Sequence, residues 1–401
     1  MVWPVPTLKG YCVTGLMAHV CRRGGEVLEM TKNCQVQFQE YFSASGHKIA
    51  RATLDAQGSL NALTLDMIDA LYEQFQQWKN DRTVAVVVLD GAGGKAFCAG
   101  GDIRQLHASV IESDFGPNPY GETFFTREYR LDHLIHTFPK PVLCWGSGIV
   151  MGGGIGLMAG ASHRIVTPTS KLAMPEVSIG LFPDVGGSWI LGRMPGRTGL
   201  FLGLTGTRIN GADALFCGMA DRLLESDSLP EVLNLMKSTE WQNSGQANHQ
   251  ALTGLLRALE KQQSVAKVTS PIQEHFEGIQ SVTDAETPDE VLKNIRSQHG
   301  EWWQRAGDSL EKGCPLTARL VFEQLKRARH LSLADVFRME LGMAVGCLRE
   351  PNFAEGVRAL LLERGSTPAW QPASLEEVKI EDLSPYFSSH WPDGQHPLQD
   401  M

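Results

Sequence analysis

The stretch "TVAVVVLDGAGGKAFCAGGDIRQL", residues 83–106, reads in order as a strand, a glycine-rich loop and the opening of a helix. Its first part, "TVAVVVLDG" (83–91), is a continuous β-branched run, as expected of a strand covered on both faces. The pattern recurs downstream. "PVLCWG" (141–146) reads as a second buried strand, "GSGIVMGGGIGLMAG" (146–160) as a second glycine loop entering a helix, and "HRIVTP" (163–168) as a third strand. Upstream, "KIARATLD" (48–55) reads as a strand, and Thr64 can cap a helix whose apolar residues Ile68, Leu71, Phe75 and Trp78 step by three and four. This alternation over residues 34–225 gives an α/β class. From about residue 226 the signal is almost wholly helical, with glutamine-rich "EKQQSVAKVTSPIQ" (260–273) as a surface connection. Ser332, followed by Asp335, resembles a capping box, and Val336, Met339, Met343 and Cys347 mark the inner face of the helix it opens. The chain thus divides into an extension over 1–33, a core over 34–225 and a mainly helical region over 226–401.

At 401 residues the chain can bury a sizeable core. Its net charge of −9 provides no basic footprint, so nucleic acid is not an expected partner. The eight cysteines are scattered and form no CxxC, which argues against a zinc knuckle or disulfide scaffold and for a reducing compartment. No apolar run reaches the roughly 18 residues of a membrane span. In "MVWPVPTLKGYCVTGLMAHVCRRGGEVLEM" (1–30) the arginines Arg22 and Arg23 follow the apolar stretch, so a secretory signal fits poorly. The segment reads as a loosely attached extension or as translation from too early a start, and a cytoplasmic location is expected.

Chemistry concentrates in three places. Each glycine loop leads into a helix, whose free N–H groups can hold negative charge, and glycine lets a ligand come close to that backbone. Two such loops facing one point can each offer an N–H to a developing oxyanion. The third place is "KLAMPEVSIGLFPDVGGS" (171–188), where Glu176 and Asp184 each follow a proline in a run otherwise apolar or glycine-rich. A buried, unpaired carboxylate is costly, so a chain that keeps two is expected to use them.

Rival motifs fit less well. Gly154-x-Gly156-x-x-Ala159 matches a dinucleotide fingerprint, but its glycines do not directly follow the strand and "HRIVTP" delivers no acid at its end. "GAGGKA" lacks the spacing and the Ser or Thr of a P-loop, and no G-x-S-x-G occurs. His133 and His136 can face one way on a helix, yet no third ligand is in view, and no metal is expected.

Together, "AFCAGGDIRQL", "MGGGIGL" and "MPEVSIGLFPDVGGS" resemble the enoyl-CoA hydratase/isomerase (crotonase) superfamily, and within it the 3-hydroxyisobutyryl-CoA hydrolase branch. The resemblance covers about residues 34–385 and includes "REYRLDHLIHTFPKPVLCWGSGIVMGGG" (127–154) and "NFAEGVRALLLERGSTPAWQPASLEEV" (352–378). It implies a spiral of ββα units with an acyl-CoA thioester bound between the glycine loops, coenzyme A being part of the substrate and no other cofactor needed. The oxyanion donors implied are the N–H groups of Gly101 and Gly153. Hydratases of the superfamily use two glutamates, one matching Glu176 and the other falling on Gly156, so a hydratase here lacks one of its acids. The hydrolase branch carries Glu and Asp at the spacing of Glu176 and Asp184, and Glu128 matches a further substrate-contacting position.

The implied reaction is 3-hydroxyisobutyryl-CoA plus water to 3-hydroxyisobutyrate plus CoA, as in valine catabolism. The alternatives are a hydratase or isomerase, and an acyl-CoA-binding protein without turnover. Superfamily members often form trimers, so a homo-oligomer is possible under this resemblance. One departure is the loop "LDAQGSLNALT" (54–64), which lacks the proline usual in relatives.

Overall fold

In the computed structural model, residues 19–23, 26–30, 35–265 and 268–401 are described. The strands are β1 (His19–Arg23), β2 (Glu26–Met30), β3 (Val36–Phe42), β4 (Lys48–Leu54), β5 (Val84–Gly91), β6 (Ala96–Cys98), β7 (Val142–Gly146), β8 (Ile149–Met151), β9 (His163–Val166), β10 (Lys171–Ala173) and β11 (Arg222–Leu223). Eight of them form one sheet in the order β1-β2-β3-β4-β5-β7-β9-β11, and β10-β8-β6 form a second. Pairing is antiparallel from β1 to β4 and parallel from β4 to β11. The small sheet is wholly parallel.

The two sheets arise from one repeated unit. β5 and β6 lead into helix α2 (Ile103–Glu112), and β7 and β8 lead into α4 (Gly153–Gly160); β9 and β10 begin a third turn. Each unit places its first strand in the large sheet and its second in the small one. This is the ββα spiral expected from the resemblance.

β5 is apolar from Val84 to Leu89 because both its faces are covered. Val87 and Leu89 enter the main core, while Val86 and Val88 join a second cluster with Leu143, Trp145 and Ile165 beneath Leu252, Leu256 and Leu259. Thr64 caps α1 (Leu65–Asn80), its hydroxyl accepting from Met67 N at 3.3 Å, and Ile68, Leu71, Phe75 and Trp78 are buried. The proline-free loop after β4 is fixed instead by buried Asn61, which accepts from Ala56 N at 2.9 Å and donates to Ala92 O at 3.1 Å and Ala96 O at 2.9 Å.

From Leu229 onward, the described residues that lie in regular elements are helical. The main core runs continuously from Val36 to Leu398, so these helices share it with the spiral. Ser332 does cap the Leu333–Leu348 helix, but the Asp335 carboxylate takes the Ser332 hydroxyl and Arg338. The inner face of that helix also differs from expectation. Met339 is half-buried, and the carboxylate beside it, Glu340, is 0% exposed.

The glutamine-rich connection joins two helices as read, although Ala266 and Lys267 lie outside the described residues. Residues 1–18, 24–25 and 31–34 also lie outside them; within the N-terminal extension β1 pairs with β2, and β2 with β3, continuing the large sheet. No helix among the described residues is long and apolar enough to cross a membrane.

Candidate active site

The small sheet explains why three distant stretches meet. β6, β8 and β10 are parallel neighbours, with Cys98 beside Val150 and Ala173 beside Met151. Neighbouring strands lie about 4.8 Å apart, so the segments leaving their C-terminal ends converge. Those segments carry Gly100–Gly101 after β6, Gly152–Gly153 after β8 and Glu176 after β10. The two loops are in contact, since a Cβ on Gly100 would lie 3.4 Å from Met151 O and 3.8 Å from Gly153 N. Gly153 is the first residue of α4, so its N–H has no acceptor within the helix.

These strand ends line a cavity of about 560 Å³ that also reaches Glu128, Asp184, Arg104, Leu360, Leu361 and Arg364. Gly101, Gly153, Glu128, Glu176 and Asp184, singled out from sequence, therefore face one space. Its size suits a small-molecule site. Leu360, Leu361 and Arg364 come from the helical C-terminal region, which thus walls the cavity as well as bracing the spiral.

Glu176 opens a 3₁₀ turn, Glu176–Ile179, and is 5% exposed. Its Oε2 has no hydrogen-bond partner among the described residues, and Oε1 lies 3.3 Å from where a Cβ on Gly152 would sit. Burial, and then the Asp184 charge, hold its pKa well above the usual carboxylate range. Asp184 is likewise buried, and accepts from the Tyr129 hydroxyl at 2.8 Å. Burial pushes Asp184 up to about 7 against the pull of that hydrogen bond.

Glu128 and Tyr129 come from α3 (Pro119–His136). Glu128 is buried against both glycine loops: a Cβ on Gly153 would overlap its Oε1, and one on Gly101 would lie 3.9 Å away. Burial, then Asp184 and Glu176, push Glu128 well upward.

Some polar residues beside this cavity escaped the sequence reading. Asp132, one helical turn after Glu128, is 0% exposed, and neither of its oxygens has a partner among the described residues. It fills the space beside Gly156, where a Cβ would come within 2.7 Å of Val185 Cβ and 2.8 Å of Asp132 Oδ2. Position 156 therefore has no room for an acid. Glu340 approaches from the far side, accepting from Gly186 N and Ser188 N, with its pKa pushed by burial up to about 8. A signal for Asp132 was present, since carboxylates four apart on an otherwise apolar helix face share one side. His133 and His136 both pack their rings on Phe337, and the ion pair of Glu355 with Arg358 closes at 2.7 Å.

Residues 49–387 match the family model described as enoyl-CoA hydratase/isomerase. Among curated proteins, the chain is 36% identical over 351 residues to 3-hydroxyisobutyryl-CoA hydrolase, mitochondrial, of Gallus gallus, covering 86% of this chain and 87% of that protein. The Homo sapiens protein of the same name is 35% identical over 344 residues, covering 84% and 85%. Among solved structures, a carnitinyl-CoA dehydratase from Mycobacterium thermoresistibile is 31% identical with a TM-score of 0.78, covering 88% of this chain and 97% of that one. An enoyl-CoA hydratase from Rhodobacter sphaeroides is also 31% identical, with a TM-score of 0.76 and the same coverage. The mitochondrial names of the curated relatives overturn the expected cytoplasmic location, which rested on the absence of a credible organelle signal in the sequence. The chain belongs to the enoyl-CoA hydratase/isomerase family, in the branch whose curated members are named 3-hydroxyisobutyryl-CoA hydrolase.

Proposed function

We propose that this protein hydrolyses 3-hydroxyisobutyryl-CoA to 3-hydroxyisobutyrate and CoA, the thioester cleavage of valine catabolism. The observation that carries this reading is the pairing of Glu176 with Asp184 in one cavity with both glycine loops, while position 156 has no space for a second hydratase acid. The curated relatives' names support the same substrate.

The thioester oxygen accepts from the N–H groups of Gly101 and Gly153, which stabilise the charge that develops as the carbonyl carbon is attacked. Glu176 acts in one of two ways. As a general base it takes a proton from water, whose oxygen bonds to the carbonyl carbon. As a nucleophile it bonds to that carbon itself, forming an anhydride that water then opens. In both routes the carbon–sulfur bond breaks on collapse of the tetrahedral species. The departing thiolate takes the proton Glu176 removed from water in the first route. In the second it takes one from solvent, and opening of the anhydride by water returns a proton. Asp184 holds the substrate's 3-hydroxyl, and Glu128 lines the acyl end beside the glycine loops. Single turnover in ¹⁸O-water tests the anhydride: label in the Glu176 carboxylate marks attack of water on the Glu176 carbonyl of that intermediate, an outcome the general-base route does not give.

A lyase reading is favoured by the titles of the two solved structures, a dehydratase and a hydratase. Incubation with crotonyl-CoA and with 3-hydroxyisobutyryl-CoA decides between them. Hydrolysis predicts thiol release from the second substrate; loss of the enoyl absorbance of the first, without thiol release from the second, refutes it.

A further inference from the structure

Asp184 lies on a segment held from outside the spiral. Pro183 O accepts from Gln324 Nε2 at 2.5 Å, Gly186 N donates to Glu340 Oε2 at 2.7 Å, and Ser188 N donates to Glu340 Oε1 at 2.8 Å. Gln324 and Glu340 are both 0% exposed and belong to the helices Pro315–Ala328 and Leu333–Leu348. Between these anchors Val185 sits at φ +53°, a left-handed conformation that β-branched residues rarely adopt without external support. The same Leu333–Leu348 helix supplies Phe337, whose ring packs 5.7 Å from that of Tyr129, the residue bonded to the Asp184 carboxylate.

We propose that Glu340 is a positioning residue of the active site: by holding Gly186 and Ser188 it fixes the Asp184 carboxylate where a 3-hydroxyl can meet it, and so sets the preference for 3-hydroxyacyl thioesters. This rests on the role given above to Asp184. The position requires a side chain with two acceptor atoms, because it faces two backbone donors. Both oxygens of a carboxyl can accept, whereas the amide nitrogen of glutamine cannot in either orientation. Glu340→Gln therefore removes one of the two bonds while keeping size and shape.

The test compares kcat/KM for 3-hydroxyisobutyryl-CoA with that for isobutyryl-CoA, which differs only by the hydroxyl. The ratio is expected to fall at least tenfold in Glu340→Gln and in Asp184→Asn, and no further in the double variant. A merely structural loss would lower both rates together and leave the ratio intact. If the ratio falls in Asp184→Asn but not in Glu340→Gln, the positioning role is overturned and the reading of Asp184 stands. If it falls in neither, the reading of Asp184 fails and the inference fails with it. Should Glu340→Gln not fold, Gln324→Met loosens the Pro183 end of the same segment. A fall in its ratio supports the inference, and an unchanged ratio overturns it.

Discussion

Replacing Gly153 with alanine tests the backbone side of the site at its tightest point. The new Cβ would overlap Glu128 Oε1, and Leu63 Cδ1 stands 3.3 Å away on another side. Ordinary contact is ~3.5 Å, so methyl and carboxylate must part by about 1 Å. The Glu128 carboxylate is buried, and the Gly101 loop lies beside it, so part of that movement falls on the Gly153 backbone. An N–H displaced by such an amount leaves the 2.7–3.2 Å range in which it donates effectively. Loss of one well-aimed donor costs about 10²–10³ in kcat, or roughly 2.7–4 kcal/mol of transition-state stabilisation. Thiol release at saturating substrate should show this fall in kcat, with KM and CoA affinity changed far less.

The cause can be isolated by a double-mutant cycle with Glu128→Ala, which removes the atom the methyl would strike. Gly153→Ala should then cost markedly less than in the native background. A Gly153→Ala enzyme within threefold of native kcat would refute the donor role. Strictly additive effects with Glu128→Ala would refute the steric argument.

Other consequences are equally measurable. Gly101→Ala should be milder than Gly153→Ala, because the nearest atoms to its Cβ are those of the Phe124 ring, at 3.0 and 3.2 Å, and then Glu128 Oε1 at 3.9 Å; equal kcat losses would contradict the geometry. Glu176→Gln should lose turnover by orders of magnitude yet keep acyl-CoA binding, read by calorimetry. In the kcat/KM profile the acid limb should lie above the usual carboxylate range, since Glu176 must ionise and its pKa is raised by burial and then by Asp184. Asp184→Asn removes the second cause, so the limb of the residual activity should move to lower pH; movement to higher pH would contradict the electrostatics.

Stability carries a sign as well. Asp184 has its pKa raised to about 7, so the native state keeps a proton that the unfolded chain releases, and stability falls as pH rises from ~4 through that value. Asp184→Asn should therefore stabilise the protein more at pH 8 than at pH 5 in paired denaturation curves, and the reverse order would be inconsistent with a raised pKa.

The spiral was legible because its signals are local. A β-branched run marks β5, a short apolar run marks β7, glycine clusters follow β6 and β8, and Thr64 with its apolar steps marks α1. Glu176 and Asp184 stood out for the same reason, as carboxylates in apolar surroundings. Tyr129, Gln324 and Glu340 were not legible as site residues, because packing between distant segments brings them there: Glu340 meets Gly186 from 154 positions away. The periodicity left a trace, since 336, 340, 343 and 347 step around one helix face, but the apolar Met339 drew the reading by one residue. Sequence patterning assigns a carboxylate to solvent by default, and only the two N–H groups of Gly186 and Ser188 explain why Glu340 stays buried. Gly156 was read correctly as lacking an acid, but not why: Val185 and Asp132 occupy the space a side chain would need.

The central claim is that two main-chain amides and an acidic pair act on one thioester carbonyl. A crystal structure with a substrate analogue whose sulfur is replaced by methylene tests it most directly. The account predicts the carbonyl oxygen within about 3.2 Å of both Gly101 N and Gly153 N, the carbonyl carbon facing Glu176 and the 3-hydroxyl on Asp184. A carbonyl seated beyond reach of either amide, or with its carbon turned away from Glu176, would contradict it.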